Sequence, residues 1–563
     1  MSSRTSTRAD VGRGMTQVAR AATLAPEAVR RRREASLALA VSAVVVVAAV
    51  LRVATCATYL FNDEYPIVGN ALTFFRDRTL VPSHFAYPTF FSYLIAAPTV
   101  IGAAVLKAVG ILPSLSDIGA LLDVDSVLAA LPARLTSCTF GVLTLLVLFD
   151  TGRRFYSDTV GFVAVVLLGF SSLHITYSAY ALPDVTMTFF ALCSVRFSLS
   201  ALQTRKNRDV LLASAFAGLT ASTKYNGALV VLPVVAAQLI QLYEDRRFTV
   251  RHVVFDVRWL WIGLAVVAAF LVGSPAWLVR PAAFYHAVAY ESAHMRTGHP
   301  GFFGVPYLQQ IALLWQWEQT FSLVMLVALA YAAWRRTRQD LLLFALIVPA
   351  FAIIGSWAKQ DLHYLLFLYP VLSLLAGRFV VEVVMARPAG RARLALGCGI
   401  AAAALLPIGH TIGAAYTALG VDSRWIAAEW IQSHIADAET IVLEDEHSHL
   451  PRFFTVEEKE RLLAGNHAAF YQQRLNGTRA YRLIPLEYTP GWVSRIQAPY
   501  LLVGSDTFER YFVTPPPPAG NPLLKPFMDR RETYQAIFDG SAWTLWQVFD
   551  GGKGPRVLLY RHR

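Results

Sequence analysis

Cysteine is scarce in this chain, and its four cysteines lie far apart. Cys56, Cys138, Cys193 and Cys398 fall in or beside hydrophobic segments, and none has the spacing of metal ligands. No cysteine occurs after Cys398. The sequence therefore implies no disulfide framework and no cysteine-based metal centre.

Charged residues are also few, at 16% of the 563 residues, whereas 55% are apolar. That balance excludes an ordinary soluble protein and indicates a polytopic membrane protein. A net charge of +12 would suggest nucleic acid as a partner of a soluble domain. Here the basic residues form short clusters between apolar runs, which is the pattern that orients a chain in a bilayer, so nucleic acid is discounted. The clusters are Arg153 and Arg154; Arg205, Lys206 and Arg208; Arg246, Arg247 and Arg251; Arg335, Arg336 and Arg338; and Arg387, Arg391 and Arg393.

Residues 1–34 are polar and Arg-rich, and they predict a disordered basic cytoplasmic tail. The apolar run 35–54 that follows is long enough to cross a bilayer. A signal peptide remains an alternative, but the many later hydrophobic segments favour an uncleaved anchor. With the basic clusters on the cytoplasmic side, about eleven crossings result, and the carboxyl end lies outside. This count requires 90–110 to pack at the outer face or to re-enter without crossing.

The same topology brings five polar loops to the outer face: 56–128, the turn at Asp184, the turn at Lys224, 280–306 and 355–363. The predicted fold is thus a helical membrane domain over 35–415 with an outer catalytic loop, 56–128. From residue 416 to 563 the composition changes. Alternating helical and strand periods there predict a small extracytoplasmic α/β domain.

Carboxylates in two of these loops are candidates for acid–base chemistry. Asp63 and Glu64 follow the first span, where a carboxylate could deprotonate an acceptor hydroxyl and its neighbour could hold a metal or bind a sugar. A solvated loop start is the alternative interpretation. Asp184 could be a second acid in the cavity, or only a favourable charge at a helix amino end.

Several cations in the outer loops could face a phosphate. Lys224 follows an apolar run that is too short to span, so it needs a partner or an aqueous cavity, unless it extends to the interface. Lys359, Asp361, His363 and Tyr364 could together hold a phosphate, or could form an interfacial belt, and Arg134 has the same two interpretations.

The loop 285–304 contains His286, Glu291, His294, Arg296 and His299. His286 and His294 are eight residues apart, but no compact zinc-ligand motif is present. We expect this loop to line an acceptor or phosphate site, with Glu291, His294 and Arg296 as candidates for binding acceptor or sugar. His84 and Tyr87, in the first outer loop, are candidates for the same role.

In this order the segments resemble the GT-C class of integral-membrane glycosyltransferases. The chain is most similar to family 39, the group of protein O-mannosyltransferases and lipid A aminoarabinose transferases. The tokens that carry the resemblance are the Asp-Glu pair, YPTFFSYLIA with Tyr87 where the family has His, ARLTSCTFGVLTLLVLFDTGRRFYSD, YALPDVTMTFF, GLTASTKYNGALVVLP and KQDLHYLLFLYPVLSLLAG.

The resemblance implies an inverting transferase that takes a sugar from a polyprenyl-phosphate donor on the outer face of the membrane. Asp63 would be the base, Asp184 would assist, and Lys224, Lys359 and His363 would stabilise the departing phosphate. A divalent cation, Mg²⁺ or Mn²⁺, at Asp63 and Asp184 is left open. The implied acceptor is a glycan, lipid or protein. The composition fits a bacterial inner membrane.

A transporter or flippase of lipid-linked sugars is the alternative function. Transporters commonly show internal repeats and ion sites near the bilayer midplane. This sequence shows no clear repeat, and its polar groups gather on one face, which favours the transferase.

Overall fold

The computed structural model describes residues 32, 34–385, 390–444, 450–489 and 491–563. The predicted tail lies almost entirely outside the described residues, and so does Arg387. Most of the described chain is helical, and its strands form one small sheet near the carboxyl end. The predicted fold class, a polytopic helical protein with a carboxyl-terminal α/β region, is confirmed.

In the described residues, nineteen α-helices precede the carboxyl-terminal segment that contains the sheet. They are α1 (Glu34–Ala54), α2 (Glu64–Arg76), α3 (Phe90–Ala108), α4 (Ile118–Val124), α5 (Ser126–Phe155), α6 (Asp158–Gly169), α7 (Ser172–Ser178), α8 (Pro183–Thr204), α9 (Asn207–Thr223), α10 (Val231–Glu244), α11 (Val250–Phe255), α12 (Val257–Gly273), α13 (Ala276–Val279), α14 (Pro281–Thr297), α15 (Leu308–Glu318), α16 (Thr320–Arg335), α17 (Arg338–Gly355), α18 (Tyr369–Phe379) and α19 (Arg391–Ala418). Short 3₁₀ helices at Leu115–Asp117, Tyr225–Val230 and Leu362–Leu368 and a π-helix at Val380–Met385 adjoin them.

Nine helical segments of the described chain are long and apolar enough to cross a membrane. A tenth results if α6 and α7, which are bent by 65° at their junction, form one span, and α16 is a shorter apolar helix. These elements account for most of the crossings that the sequence predicts. Because α3 meets the same criteria of length and composition, its failure to cross stays a prediction.

Two spans form the centre of the membrane domain. The apolar window of α8 is 83% buried and that of Leu362–Val384 is 89% buried, whereas those of Val250–Gly273, which contains α11 and α12, and of α19 are each 6% buried. Glycines allow the central helices to approach closely. A Cβ on Gly152 of α5 would lie 2.4 Å from the Cα of Gly161 on α6, and a Cβ on Gly377 of α18 would lie 2.8 Å from the Val160 carbonyl oxygen. Close backbone contact at small residues is typical of packed membrane helices.

The carboxyl-terminal segment, residues 416–563, contains a mixed five-stranded sheet. Its order is β2-β1-β3-β5-β4, with β1 parallel to β2 and β3, and β5 antiparallel to β3 and β4. The strands are β1 (Thr440–Leu443), β2 (Arg482–Pro485), β3 (Tyr500–Gly504), β4 (Trp543–Phe549) and β5 (Val557–His562). The helices are α20 (Ser423–His434), α21 (Val456–Ala464), α22 (Ala468–Leu475), α23 (Trp492–Arg495), α24 (Ser505–Phe508), α25 (Arg510–Val513) and α26 (Leu524–Phe538).

This segment docks on the first outer loop. The Nδ1 atom of His467 lies 2.7 Å from an Asp117 carboxylate oxygen, and the Tyr471 hydroxyl donates to Asp123 at 2.7 Å. Asn521 also donates to the Thr297 carbonyl at the end of α14. The carboxyl-terminal segment therefore contacts two of the loops that the sequence predicts on the outer face.

The close crossing of α5 and α6 generates a stability prediction. We expect Gly152→Ala to lower the free energy of unfolding by about 1–3 kcal/mol, because the new methyl group would collide with the backbone of Gly161. Gly263→Ala in α12 is the matched control, since its Cβ would meet nothing within 4 Å. Thermal unfolding of both purified variants in detergent is the measurement. An equal effect in both would show that this crossing is not tightly packed.

Candidate active site

Asp63 and Glu64 are adjacent in sequence but have opposite environments. Asp63 is the residue that precedes α2, and it is exposed. Glu64, the first residue of α2, is fully buried. The start of a helix turns successive side chains in different directions, so only Asp63 presents its carboxylate outward.

Glu64 forms a buried ion pair with Arg134 of α5. The two side chains are fully buried, and their closest charged atoms, Arg134 Nη2 and Glu64 Oε2, are 2.6 Å apart. The Glu64 carboxylate also accepts hydrogen bonds from the Ala181 and Phe61 backbone amides, at 2.6 and 2.8 Å. Both oxygens of this buried carboxylate therefore have hydrogen-bond partners, as a buried charge requires.

The Arg134 guanidinium also binds the chain that precedes α2. It donates to the carbonyl oxygens of Cys56 and Thr58, each at 2.7 Å, and to that of Tyr59 at 3.2 Å. We call residues 56–61 the pre-catalytic turn. Because the guanidinium has five N–H donors in a fixed plane, one side chain fixes the course of this turn directly before Asp63.

Asp184 and Lys224 form a second buried pair. Asp184 lies in the first turn of α8, after Pro183, and Lys224 follows the end of α9. Lys224 Nζ donates to Asp184 Oδ1 at 2.7 Å, and both residues are buried. Neither charge is left unpaired in a low-dielectric environment.

Aromatic rings surround the Lys224 ammonium. Lys224 Nζ lies 4.9 Å from the ring centroid of Tyr364 and 5.6 Å from that of Tyr87. Both distances are within the range of cation–π attraction. Asn226 donates to the Tyr364 carbonyl at 3.0 Å, which links the segment after α9 to the start of the span that contains α18.

A second group of charges lies between α14 and the segment before α18. Lys359 Nζ is 3.2 Å from His294 Nε2 and 5.8 Å from the Tyr364 ring centroid. Burial lowers the pKa of Lys359, while the charges of Asp63, Asp361 and Glu291 oppose that shift. The charges of Lys359 and Asp63 therefore interact.

Glu291 connects the two groups electrostatically. Burial raises the pKa of its carboxyl group, Lys359 and Lys224 act to lower it, and Asp63 acts to raise it. Burial also lowers the pKa of His294, and it lowers that of His299 to about 3. These histidines are thus held neutral at ordinary pH.

His363 belongs to the wall of the same region. Its Nδ1 atom is 2.8 Å from the Asp361 carboxylate, and its ring stacks on Tyr177 with the centroids 4.9 Å apart. Tyr177 was not among the predicted site residues. Its place in TYSAYALPD, three residues before Tyr180, was the signal in the sequence that could have indicated it.

The structure thus brings together most of the predicted site residues through contacts and shared charges. We call this set the polar cluster: Asp63, Tyr87, Asp184, Lys224, Glu291, His294, Lys359 and Tyr364. Two predicted residues have local contacts instead. His84 is exposed and bonds Ser83, and exposed Arg296 bonds Ser292 on its own helix.

The residues at Asp63 and Asp184 do not fit a divalent cation. The Lys224 ammonium bonds Asp184 directly, so a positive charge already balances that carboxylate. In the part of the chain that the structure describes, no group of three or more His, Cys, Asp or Glu side chains is arranged to hold a metal ion.

The overall fold is similar to that of solved membrane proteins. ArnT from Cupriavidus metallidurans in the apo state superposes with a TM-score of 0.51 at 15% identity, over 92% of this chain and 97% of that chain. ArnT from the same organism bound to undecaprenyl phosphate superposes with a TM-score of 0.49 at 13% identity, over 93% of this chain and 97% of that chain. The oligosaccharyltransferase AglB from Archaeoglobus fulgidus superposes with a TM-score of 0.46 at 14% identity, over 84% of this chain and 70% of that chain. The chain has the GT-C fold of ArnT.

The sequence match then indicates the family. Residues 122–277 match the family described as dolichyl-phosphate-mannose-protein mannosyltransferase. No curated protein matches the chain in a sequence search. The matched segment resembles that family and the whole chain shares the fold of ArnT, which confirms the predicted resemblance to the GT-C glycosyltransferases.

The Glu64–Arg134 pair generates a prediction about stability. We expect Arg134→Met to lower the free energy of unfolding by about 3–5 kcal/mol, because Glu64 would stay buried without its partner. Arg76→Met is the matched control, since the Arg76–Asp77 pair is exposed and such pairs contribute about 0–1 kcal/mol. Chemical unfolding in detergent measures both. Similar losses would contradict a special role for the buried pair.

Glu291 generates a prediction about pH. Since burial raises its pKa in the folded state, the folded chain binds this proton more tightly than the unfolded chain does. The group therefore stabilises the fold below its unfolded pKa, and this contribution is lost as the pH rises through the folded pKa. We expect Glu291→Gln to raise the melting temperature relative to wild type at pH 7 and not at pH 4. A difference independent of pH would contradict this.

Proposed function

We propose that this protein moves a sugar from a polyprenyl-phosphate donor to an acceptor hydroxyl or phosphate on the outer face of a membrane, with inversion at the anomeric carbon. The observation that carries the proposal is the exposed Asp63 carboxylate together with the buried Asp184–Lys224 pair, because the charges of Asp63 and Lys224 both act on the Glu291 carboxyl group. A base and a cation in one polar cluster provide the two groups that such a transfer needs. The donor class is supported by the family match, whose description names dolichyl-phosphate-mannose, and by the ArnT structure bound to undecaprenyl phosphate.

In the proposed reaction, the acceptor oxygen attacks the anomeric carbon while the bond from that carbon to the phosphate oxygen breaks. The acceptor proton passes to the Asp63 carboxylate when the acceptor is a hydroxyl. The electron pair of the broken bond leaves with the polyprenyl phosphate. Asp63 is exposed, as a base that must reach an incoming acceptor needs to be.

Lys224 and Lys359 are the proposed partners of the departing phosphate. Both ammonium groups face Tyr364, at 4.9 and 5.8 Å from its ring centroid. The phosphate would then take the place of Asp184 as one partner of Lys224, and of His294 as one partner of Lys359. Charges fixed in a water-poor site stabilise a developing negative charge at little reorganisation cost. His363 is proposed to support this wall through its contact with Asp361.

Other predicted site residues receive positioning or binding roles. Glu64 and Arg134 are proposed to fix the pre-catalytic turn rather than to contact substrate, because both side chains are fully buried. Asp184 is proposed to orient Lys224. Glu291, His294 and Tyr87 are proposed to bind sugar or acceptor.

The proposed location is a bacterial inner membrane, with the amino end in the cytoplasm and residues 416–563 outside. The basic clusters between spans support this orientation. A flippase is less well supported, because the family match is to a transferase and the polar cluster includes an exposed carboxylate.

The test of the proposed base is Asp63→Asn in the purified full chain, with a panel of radiolabelled polyprenyl-phosphate sugars and envelope lipids as acceptors. We expect kcat to fall by more than about a hundredfold with donor binding retained, because the variant lacks the base but keeps the shape of the site. Asp77→Asn is the matched control. Asp77 is another carboxylate near the exposed end of α2, paired with Arg76, and its loss should leave kcat unchanged. Undiminished transfer by Asp63→Asn would remove Asp63 from the mechanism.

A further inference from the structure

The pre-catalytic turn is held from two sides. Arg134 binds its carbonyl oxygens from the membrane domain. On the other side, Lys553 of the carboxyl-terminal segment donates to the Ala57 carbonyl at 2.8 Å, and it also bonds the Ala418 carbonyl at the end of α19. Residues almost 500 positions apart in sequence thus meet at the turn that leads to Asp63.

Tyr59 is the side chain of the turn that the carboxyl-terminal segment contacts most directly. The Arg424 guanidinium lies 4.2 Å from the centroid of its ring. The Arg452 backbone amide donates to its hydroxyl at 3.1 Å. At the same residue, the backbone carbonyl accepts from Arg134. Tyr59 therefore joins both sets of contacts four residues before Asp63.

Arg424, whose guanidinium contacts the Tyr59 ring, is itself held in place by its neighbours. The Arg424 guanidinium makes two hydrogen bonds with the Asp422 carboxylate, both at 2.8 Å, and Arg424 is buried. Ser423 donates its backbone amide to the Lys553 carbonyl at 2.9 Å. Gly554 adopts a φ of +76°, and a Cβ there would lie 2.5 Å from an Asp422 carboxylate oxygen. A side chain in this arrangement has little freedom to move, so its contact with Tyr59 is preorganised.

The short chain between Tyr59 and Asp63 is anchored, so the position of Tyr59 affects that of Asp63. The Phe61 amide donates to Glu64 at 2.8 Å, and the Phe61 ring stacks on Tyr180 with the centroids 5.6 Å apart. A displacement of Tyr59 would move a short, anchored stretch of chain and the carboxylate at its end. A shift of about 1 Å at a catalytic group can cost about a hundredfold in rate.

We propose that Tyr59, gripped by Arg424, is a positioning residue for Asp63, and that the carboxyl-terminal segment takes part in transfer by holding the pre-catalytic turn. This rests on the proposed function, in which Asp63 is the base. It gives the carboxyl-terminal segment a task in the reaction itself.

A matched control exists because the carboxyl-terminal segment also docks elsewhere on the first outer loop. Tyr471 donates to Asp123 at 2.7 Å. That contact joins the same two parts of the chain without touching the turn, and the 3.2 Å pair between Asp123 and Arg452 remains when the Tyr471 hydroxyl is removed. Its loss should weaken docking without moving Asp63.

The experiment compares full-length Tyr59→Ala, Tyr59→Phe and Tyr471→Phe in the transfer assay, with polyprenyl-phosphate mannose as the first donor tried from the panel. We expect Tyr59→Ala to lower kcat by at least about tenfold while the donor's Kd stays within about twofold. Tyr59→Phe retains the ring over which Arg424 lies and should recover most of that loss. Tyr471→Phe should keep a wild-type kcat.

Three results separate the hypotheses. A wild-type kcat in Tyr59→Ala, with Asp63→Asn inactive, overturns the positioning role and leaves the base intact. A wild-type kcat in Asp63→Asn overturns the proposed base, and the positioning role with it. Equal losses in Tyr59→Ala and Tyr471→Phe would show that only docking matters, and would also overturn the proposal.

A second variant covers a failure of Tyr59→Ala to fold. Arg424→Gln removes the cation from the ring and leaves Tyr59 in place, and Arg424→Lys restores a positive charge. We expect kcat to fall in Arg424→Gln at unchanged donor Kd and to recover partly in Arg424→Lys. A wild-type kcat in Arg424→Gln would overturn the proposed role of the contact between Arg424 and the Tyr59 ring.

Discussion

The buried ion pair between Arg134 and Glu64 is the interaction on which the proposed active site depends. Two charges lose their hydration when they are buried, and this cost is offset only if each is paired and fully hydrogen-bonded. Glu64 meets that condition through Arg134 and two backbone amides. Arg134 meets it by also binding three backbone carbonyls. The requirement to satisfy both charges therefore fixes the chain that leads to Asp63.

The same constraint explains how the polar cluster is organised. Asp184 is paired with Lys224, and Asp361 with His363, whereas Asp63 is exposed. Pairing keeps the buried charges compatible with a membrane domain, and it also fixes Lys224 beside two aromatic rings. The site combines the buried Asp184–Lys224 pair with the exposed Asp63 carboxylate. Such an arrangement suits a reaction in which charge develops on a departing phosphate.

Several features of the site were predictable from local sequence. The short apolar run before Lys224 predicted a lysine at the wall of a cavity; Lys224 is buried at the end of α9 and pairs with Asp184, and the cavity stays a prediction. The strings APYLLVGS and PRVLLYR predicted strands that appear as β3 and β5. The different fates of Asp63 and Glu64 were not predictable, because they depend on Arg134, which lies 70 residues further along the chain. Nor did the sequence indicate that Tyr59 contacts Arg424.

The sequence by itself determined the long apolar helices and the family resemblance. These properties depend on the length and composition of continuous segments, since a bilayer requires about twenty apolar residues per helix. Only the tertiary structure decided which charges are buried in pairs, which carboxylate is exposed and where the carboxyl-terminal segment docks. Those outcomes depend on contacts between residues far apart in sequence, and a single sequence carries no local signal for such contacts.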